Sequence, residues 1–370
     1  MNLTFGEDET ESGGKKKWEK LYCYHFYLSD NTEKIVKINK KYYDRLRKLY
    51  FDQPELTDQS ESLFHERLLK LLIRYDIVSG EVRGYQMALP ERVFEYLKKE
   101  CHLQHECFAS PLNACPAIGS FCSRFPDTDK YFGSEGSFFK YNPEEGVYES
   151  NPPFVEECMI RNIKHILDLL NNAEEKGKAL TFFIIVPKWD DDGCESYNLT
   201  VYGKHPRPKG ENQEGKYFVD KIDMDKGNHF YRNGMAYQDD FSVMSANSGS
   251  LMLVLQTKEA RKKVPIDRYV LEGVKKRWGK RSSEFINGKK GEFYRKKDQN
   301  KRYTDRDSKR HHDDYKDRNP EEYKNEDYKS SKRSYDDFRT SNPEEYKNED
   351  YESSKRHHDN YIEREDKRRR

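Results

Sequence analysis

Apolar positions along the chain fall into distinct regimes, and each predicts a different kind of structure. Between Lys15 and Leu97 they recur at helical spacing. Leu63, Phe64, Leu68, Leu71, Leu72 and Tyr75 share one side of LFHERLLKLLIRYDI, which follows Ser60-Glu61-Ser62. Pro90 stands where a first-turn proline would open ERVFEYLKKE, with Val93, Phe94 and Leu97 on one face. Residues 15–100 therefore read as a small helical subdomain.

From about Cys101 to Gln256 the texture changes. ECFASPLN is a short apolar segment opening into a Ser-Pro-Leu-Asn turn, and TFFIIVPKW and SLMLVLQT are near-continuous apolar runs. Runs of this length without strict alternation suit strands buried on both faces of a parallel sheet. Between them, VEECMIRNIKHILDLLNN sets Val155, Met159, Ile163, Ile166 and Leu170 on one helical face. Strand, turn, helix, strand is the order of a doubly wound α/β sheet, assigned here to residues 101–286. The stretch from Asp190 to Asn247 is too long for a turn and is expected to hold an excursion that shapes a substrate groove.

Composition alters the picture at the ends. Charged residues make up 36% of the 370-residue chain and hydrophobic ones 34%, but that polarity is uneven. Residues 1–14, acidic and glycine-bearing, are expected to be disordered. Beyond about Asn287 aliphatic residues nearly vanish. NPEEYKNEDYKSSKR starts at Asn319 and NPEEYKNEDYESSKR at Asn342, 23 residues further on, and SKRHHDDY and SKRHHDNY are also near-copies. Stacked repeats need an apolar core that these lack, so residues 287–370 are expected to form a disordered, tyrosine-rich charged tail rather than a solenoid.

A net charge of +1 leaves any nucleic-acid-binding face to be a local feature. The first residues lack the apolar core of a secretory signal, and nothing approaches the ~20 apolar residues of a membrane span. A soluble intracellular protein is expected, its seven cysteines kept as thiols.

The candidate chemistry lies at Asn151-Pro152-Pro153-Phe154, between the strand-like Gly146-Val147-Tyr148-Glu149 and the helix just described. An adenine amino group is a poor nucleophile because its lone pair is delocalised into the ring. Two acceptors for its N–H groups favour the pyramidal nitrogen that methyl transfer needs. The Asn151 side-chain carbonyl and the Pro152 backbone carbonyl are such acceptors, and the prolines stiffen the turn that aims them. Phe154 offers a stacking face worth ~1–3 kcal/mol to a base. The bland alternative is an Asn turn in which two prolines start a helix.

Asp127 and Asp129 follow the ECFASPLN strand by ~20 residues, the offset at which nucleotide-binding sheets present an acidic residue to a ribose. Phe132-Gly133-Ser134-Glu135-Gly136 adds a glycine-punctuated loop that could approach a cofactor.

The strings ECFASPLN, CSRFPDTDKYFGSEGSF and YESNPPFVEECM, in this order, resemble the catalytic domain of the phosphorylated CTD interacting factor family, the cap-specific adenosine N6-methyltransferases of messenger RNA. The likeness runs from about Arg83 to about Gln256. It implies a class I, Rossmann-like methyltransferase sheet preceded by a helical subdomain. It also implies S-adenosylmethionine as cofactor, capped messenger RNA as partner, and a nuclear location. The implied target is the adenosine next to the 7-methylguanosine cap, preferably 2′-O-methylated. Carried over by position, Asn151, Pro152, Pro153 and Phe154 hold the adenine. Phe108, Ser110, Pro111, Asn113, Asp127, Phe132 and Gly133 line the methyl-donor pocket. Larger members carry a WW domain that binds the phosphorylated polymerase tail. Too few residues precede the likeness here for such a domain, and Trp18, Trp189 and Trp278 lack its paired spacing, so coupling to the transcription machinery is not expected to run through one.

Lys188 and Trp189 close the strand after the catalytic helix, on the edge where ligands of such sheets bind, and are candidate substrate contacts. Trp189 could stack on a cap guanine or a flanking base, or close the core. His229, Phe230, Tyr231 and Arg232 read as an RNA contact or as anchors of a long loop. His102, His105, Cys107, Cys115 and Cys122 lack the CxxC pairs of structural zinc sites, and no metal is expected. Two rival functions stay open: a catalytically silent RNA- or transcription-associated binding protein that retains the fold, and an adenine methyltransferase acting on DNA or internal RNA.

Overall fold

A computed structural model describes residues 2–12, 15–27, 33–54, 56–79, 87–190, 193–206, 213–234, 237, 243–245 and 248–279. The repeat tail expected at residues 287–370 lies outside the described residues.

The chain opens with three strands, β1 (Asn2–Ser12), β2 (Lys15–Tyr27) and β3 (Glu33–Asn39), in one antiparallel sheet. Composition predicts disorder for residues 1–14; the backbone of β1, residues 2–12, is paired antiparallel along β2, and pairing is a relation between segments that the composition of one does not display.

Helix α1 (Lys40–Phe51) starts where Asn39 accepts a hydrogen bond from the Lys41 amide at 2.9 Å, an N-cap. Helix α2 (Glu61–Ser79) follows with the apolar face read from its sequence. Tyr24 and Ile38 from the strands join Tyr43, Leu46 and Tyr50 of α1 and Phe64, Leu68 and Leu72 of α2 in one core. The N-terminal part is thus helices packed on strands rather than helical throughout, because both helices need a surface on which to bury their stripe. Pro90 serves as the N-cap of α3 (Glu91–Cys101), one position before the first turn.

The second half is built on a mixed sheet. Strands β4 (His105–Ala109), β5 (Phe121–Ser123), β6 (Gly146–Ser150) and β7 (Leu180–Pro187) come with the short helix α4 (Pro126–Asp129) and the long α5 (Glu156–Glu175). Helix α6 (Glu195–Tyr202), β8 (Phe218–Met224), β9 (Phe230–Arg232) and β10 (Val243–Ser245) fill the expected excursion. Strand β11 (Ser250–Gln256), α7 (Lys258–Lys263) and α8 (Arg268–Trp278) complete it.

The sheet order is β5-β4-β6-β7-β11-β8. Strands β5, β4, β6 and β7 are parallel, and β11 runs antiparallel to both β7 and β8. The apolar runs in β7 and β11 are buried along their whole length. Burial on both faces is what their composition predicts; the reversal of β11 is not. Helices α5 and α6 cover one face and α3 and α8 the other.

Candidate active site

The fold brings the Asn151–Phe154 turn to the carboxyl end of β6. Pro152 and Pro153 have no N–H to continue the ladder, so the strand stops at Ser150. The Val155 amide donates to the Pro153 carbonyl at 2.7 Å, and α5 begins at Glu156. Beneath the turn, the buried Ser150 hydroxyl donates to the Asn162 side-chain oxygen on α5 at 3.0 Å. This bond ties the strand end to the helix that follows.

Within the turn, the Asn151 Nδ2 donates to the Met87 carbonyl at 3.0 Å. A carbonyl can only accept, so this contact sets the amide with Nδ2 toward Met87 and leaves Oδ1 facing the other way. Pro152 is buried and Pro153 exposed. Phe154 is half-buried against the core under α3 and α8.

One strand away, β4 ends in the Ser110–Asn113 turn. Asn113 Oδ1 accepts from the Ser110 amide at 2.7 Å and lies 3.0 Å from its hydroxyl, so this side chain closes its own turn. Ser110, Pro111 and Asn113 are all buried. Phe108 is half-buried with its ring edge-on to Phe138 and Phe139. The chain leaves β4 for β5 on one side and returns to β6 on the other, so the order reverses between β4 and β6. The crevice outside the carboxyl ends of strands at such a reversal is where open α/β sheets take their ligands. The turns after β4 and β6 both border it.

The remaining donor-side candidates face the N-terminal part of the molecule. Asp127 is exposed in a 2.5 Å ion pair with Arg74 of α2. Asp129 is buried and accepts from the Tyr75 hydroxyl at 2.6 Å, and burial pushes its carboxyl pKa up. Phe132 is buried in the α1–α2 core, 5.9 Å from Tyr50. Gly133 takes the left-handed conformation at φ +88°, against the Gln53 side chain. On the far side, Trp189 is 41% exposed at the end of β7. The Lys188 Nζ is held by Asp223 at 2.8 Å and Asp225 at 3.4 Å. His229 and Tyr231 are fully buried, which makes them anchors; both reach the Ser250 hydroxyl, at 2.7 and 2.8 Å. His105 stacks on Tyr141 and shares hydrogen bonds with Ser120 and Cys122, while Cys107 packs in the core on the α5 face.

Below the two turns lies a charged group inside the protein. Glu106 on β4 accepts a hydrogen bond from the Cys115 amide. Burial pushes its carboxyl pKa up to about 7, against the pull of that amide and of Arg232 and Arg45. Glu149 on β6 is equally buried, and its desolvation, with Glu106 alongside, raises its pKa well above the carboxylate range.

Residues 45–233, just over half of the chain, match the family model described as "Phosphorylated CTD interacting factor 1 WW domain". The chain belongs to this family. Similar proteins from Mus musculus and Homo sapiens both bear the name mRNA (2'-O-methyladenosine-N(6)-)-methyltransferase. Each is 38% identical over 159 residues, covering 42% of this chain and 22% of the relative. The chain therefore spans about a fifth of the length of these relatives.

The family match encloses Asn151–Phe154, the β4 turn and the charged group beneath them. Sequence reasoning found the turns, read Arg232 as an RNA contact or loop anchor, and missed Met87, Arg45, Glu106 and Glu149. For the two glutamates a signal existed: each interrupts an otherwise apolar strand, where an ionisable residue is rarely placed without a role. For Arg45 and Met87 none did, since their partners are remote in the chain.

Proposed function

We propose that this chain transfers a methyl group from S-adenosylmethionine to N6 of the adenosine adjacent to the cap of messenger RNA, in the nucleus. The single observation carrying this reading is the Asn151 amide, locked by the Met87 carbonyl so that Oδ1 faces away as an acceptor. The names of the two similar proteins supply the choice of a cap-adjacent, 2′-O-methylated adenosine. A class I methyltransferase arrangement is supported by the parallel strands β5, β4, β6 and β7 and by the reversed β11 inserted between β7 and β8.

The β4–β6 crevice suits the methyl donor, being bordered by the Phe108 ring and the turn that Ser110 and Asn113 close. S-adenosylmethionine supplies an electrophilic methyl group there when bound. Asn151 Oδ1 and the Pro152 carbonyl accept the two N–H groups of the target amine, so its lone pair is drawn out of conjugation and toward the donor side. Phe154 holds the ring by stacking, and Trp189 is available to a flanking base. With these groups held in place before the reaction, alignment costs little at the moment of transfer. Neither acceptor has to act as a strong base, because the proton leaves the alkylated nitrogen after transfer.

The test is methyl transfer from labelled S-adenosylmethionine to capped and uncapped RNAs that begin with A, with Asn151→Ala alongside. Transfer to capped RNA that the variant loses is the expected result. Equal rates on capped and uncapped RNA would remove the cap specificity. No transfer to either would remove the enzyme.

A further inference from the structure

Backbone groups of three consecutive residues in the loop after β4 are each bonded to an ionisable side chain from a different element. The Asn113 carbonyl accepts from Nη2 of Arg232 on β9. The Ala114 carbonyl accepts from Nη2 of Arg45 on α1. The Cys115 amide donates to Glu106 on β4. A loop carrying two outward carbonyls and one N–H normally spends them on water. Here all are taken by side chains, the buried Glu106 and the half-buried Arg45 and Arg232, an arrangement that holds the backbone only while every partner stays in place.

Of the three anchors, Arg45 alone comes from the N-terminal part, and it does not act by itself. Leu112, inside the same loop, is buried in the α1–α2 core. The segment after β5 is tied to the same helices through Arg74 on Asp127, Tyr75 on Asp129 and Phe132 against Tyr50. The sheet supplies the crevice, while α1 and α2 hold the loop after β4 that borders it.

We propose that Arg45 is a positioning residue for the methyl donor, through which the N-terminal helices set donor affinity while leaving the hold on RNA unchanged. The inference rests on the methyl-transfer reading above. Arg45 meets neither donor nor adenine; it acts through the Ala114 carbonyl. Lysine at this position retains the charge but offers one compact donor group in place of a planar fork, so it restores only part of the hold.

The experiment uses the full chain, with S-adenosylhomocysteine as the binding probe in calorimetry and capped RNA in steady-state assays. Arg45→Met is expected to weaken S-adenosylhomocysteine binding at least tenfold and to raise the donor KM in parallel. The RNA KM should stay within about twofold of wild type, and Arg45→Lys should fall between the two proteins. A folded Arg45→Met that binds the probe as wild type does overturns the proposal, as does an RNA KM that rises together with the donor KM. Should Arg45→Met not fold, Arg45→Lys decides: an unchanged probe affinity overturns it. A wild-type chain that binds no probe at all removes the methyl-transfer reading, and this inference with it. That result is distinct from binding that Arg45 does not affect.

Discussion

Glu106 and Glu149 stand opposite one another on the parallel strands β4 and β6, both withdrawn from solvent, and Glu149 Oε1 has no hydrogen-bond partner among the described residues. Two carboxylates so placed cannot both ionise cheaply. Burial raises the pKa of both, and Glu149 lacks the lowering influence that the Cys115 amide and the Arg45 and Arg232 guanidiniums exert on Glu106.

This pair gives stability a pH dependence of known sign. Both carboxyls have folded-state pKa values raised above their unfolded ones, Glu106 to about 7. The unfolded chain therefore releases these protons first as pH rises. Their contribution is full at acid pH, and that of Glu106 is lost as pH climbs through about 7. Glu149→Gln keeps the shape and removes one of the two titrating carboxyls. Thermal melts between about pH 5 and pH 8 should show a flatter profile and a higher Tm at the alkaline end for the variant. The same slope in both proteins would dissociate the effect from this pair.

Asn151→Ala removes the side-chain acceptor, and Asn151→Asp removes the N–H bonded to the Met87 carbonyl. Both should lower kcat by roughly 10²–10³, the usual cost of one preorganised group aimed at the reacting atom. Donor binding should be unaffected. A calorimetric titration with S-adenosylhomocysteine beside single-turnover rates tests the separation, and a loss of donor binding would show that the turn serves the other ligand.

Phe154 is half-buried, so one part of its ring is spoken for by the core and the rest is open. Phe154→Ala should cost ~1–3 kcal/mol of adenine stacking, or about 5- to 150-fold in kcat/KM for RNA. Phe154→Trp should retain most of the activity. An active alanine variant would mean that the base is clamped elsewhere.

Trp189, 41% exposed at the end of β7, contributes little to the core. Trp189→Ala should change folding stability by no more than ~0.5 kcal/mol. RNA affinity, followed by fluorescence anisotropy, should fall several-fold if a base stacks there. Unaltered affinity would assign the exposed ring no part in RNA binding.

Gly133 combines a left-handed φ of +88° with the Gln53 side chain 2.9 Å from where a Cβ would sit. Gly133→Ala should destabilise by ~1–2 kcal/mol from the conformation alone, read as a lower urea midpoint. A neutral result would show that this loop repacks away from α1.

Much of the architecture is legible in the sequence. Helices α2, α3 and α5 and strands β4, β6, β7 and β11 are written in local periodicity, because a helical stripe or a doubly buried strand needs its apolar residues at set intervals. Strand β8 was not, since Asp220, Lys221 and Asp223 interleave with its apolar positions inside what reads as a polar excursion. Nor was the sense of β11, whose composition is the same whichever way it runs.

The site divides along the same line. The sequence by itself determined the Asn151–Phe154 turn: two prolines end a strand, open a helix and leave a carboxamide and a ring beside them, all through bonds within a few residues. Tertiary structure alone decided which way that carboxamide faces, because its partner, the Met87 carbonyl, lies 64 residues away. It also decided that Glu106 and Glu149 face one another out of water and that Arg45 reaches the loop after β4. Orientation, desolvation and charge coupling depend on distance in space, and the order of residues along a chain does not encode that distance locally.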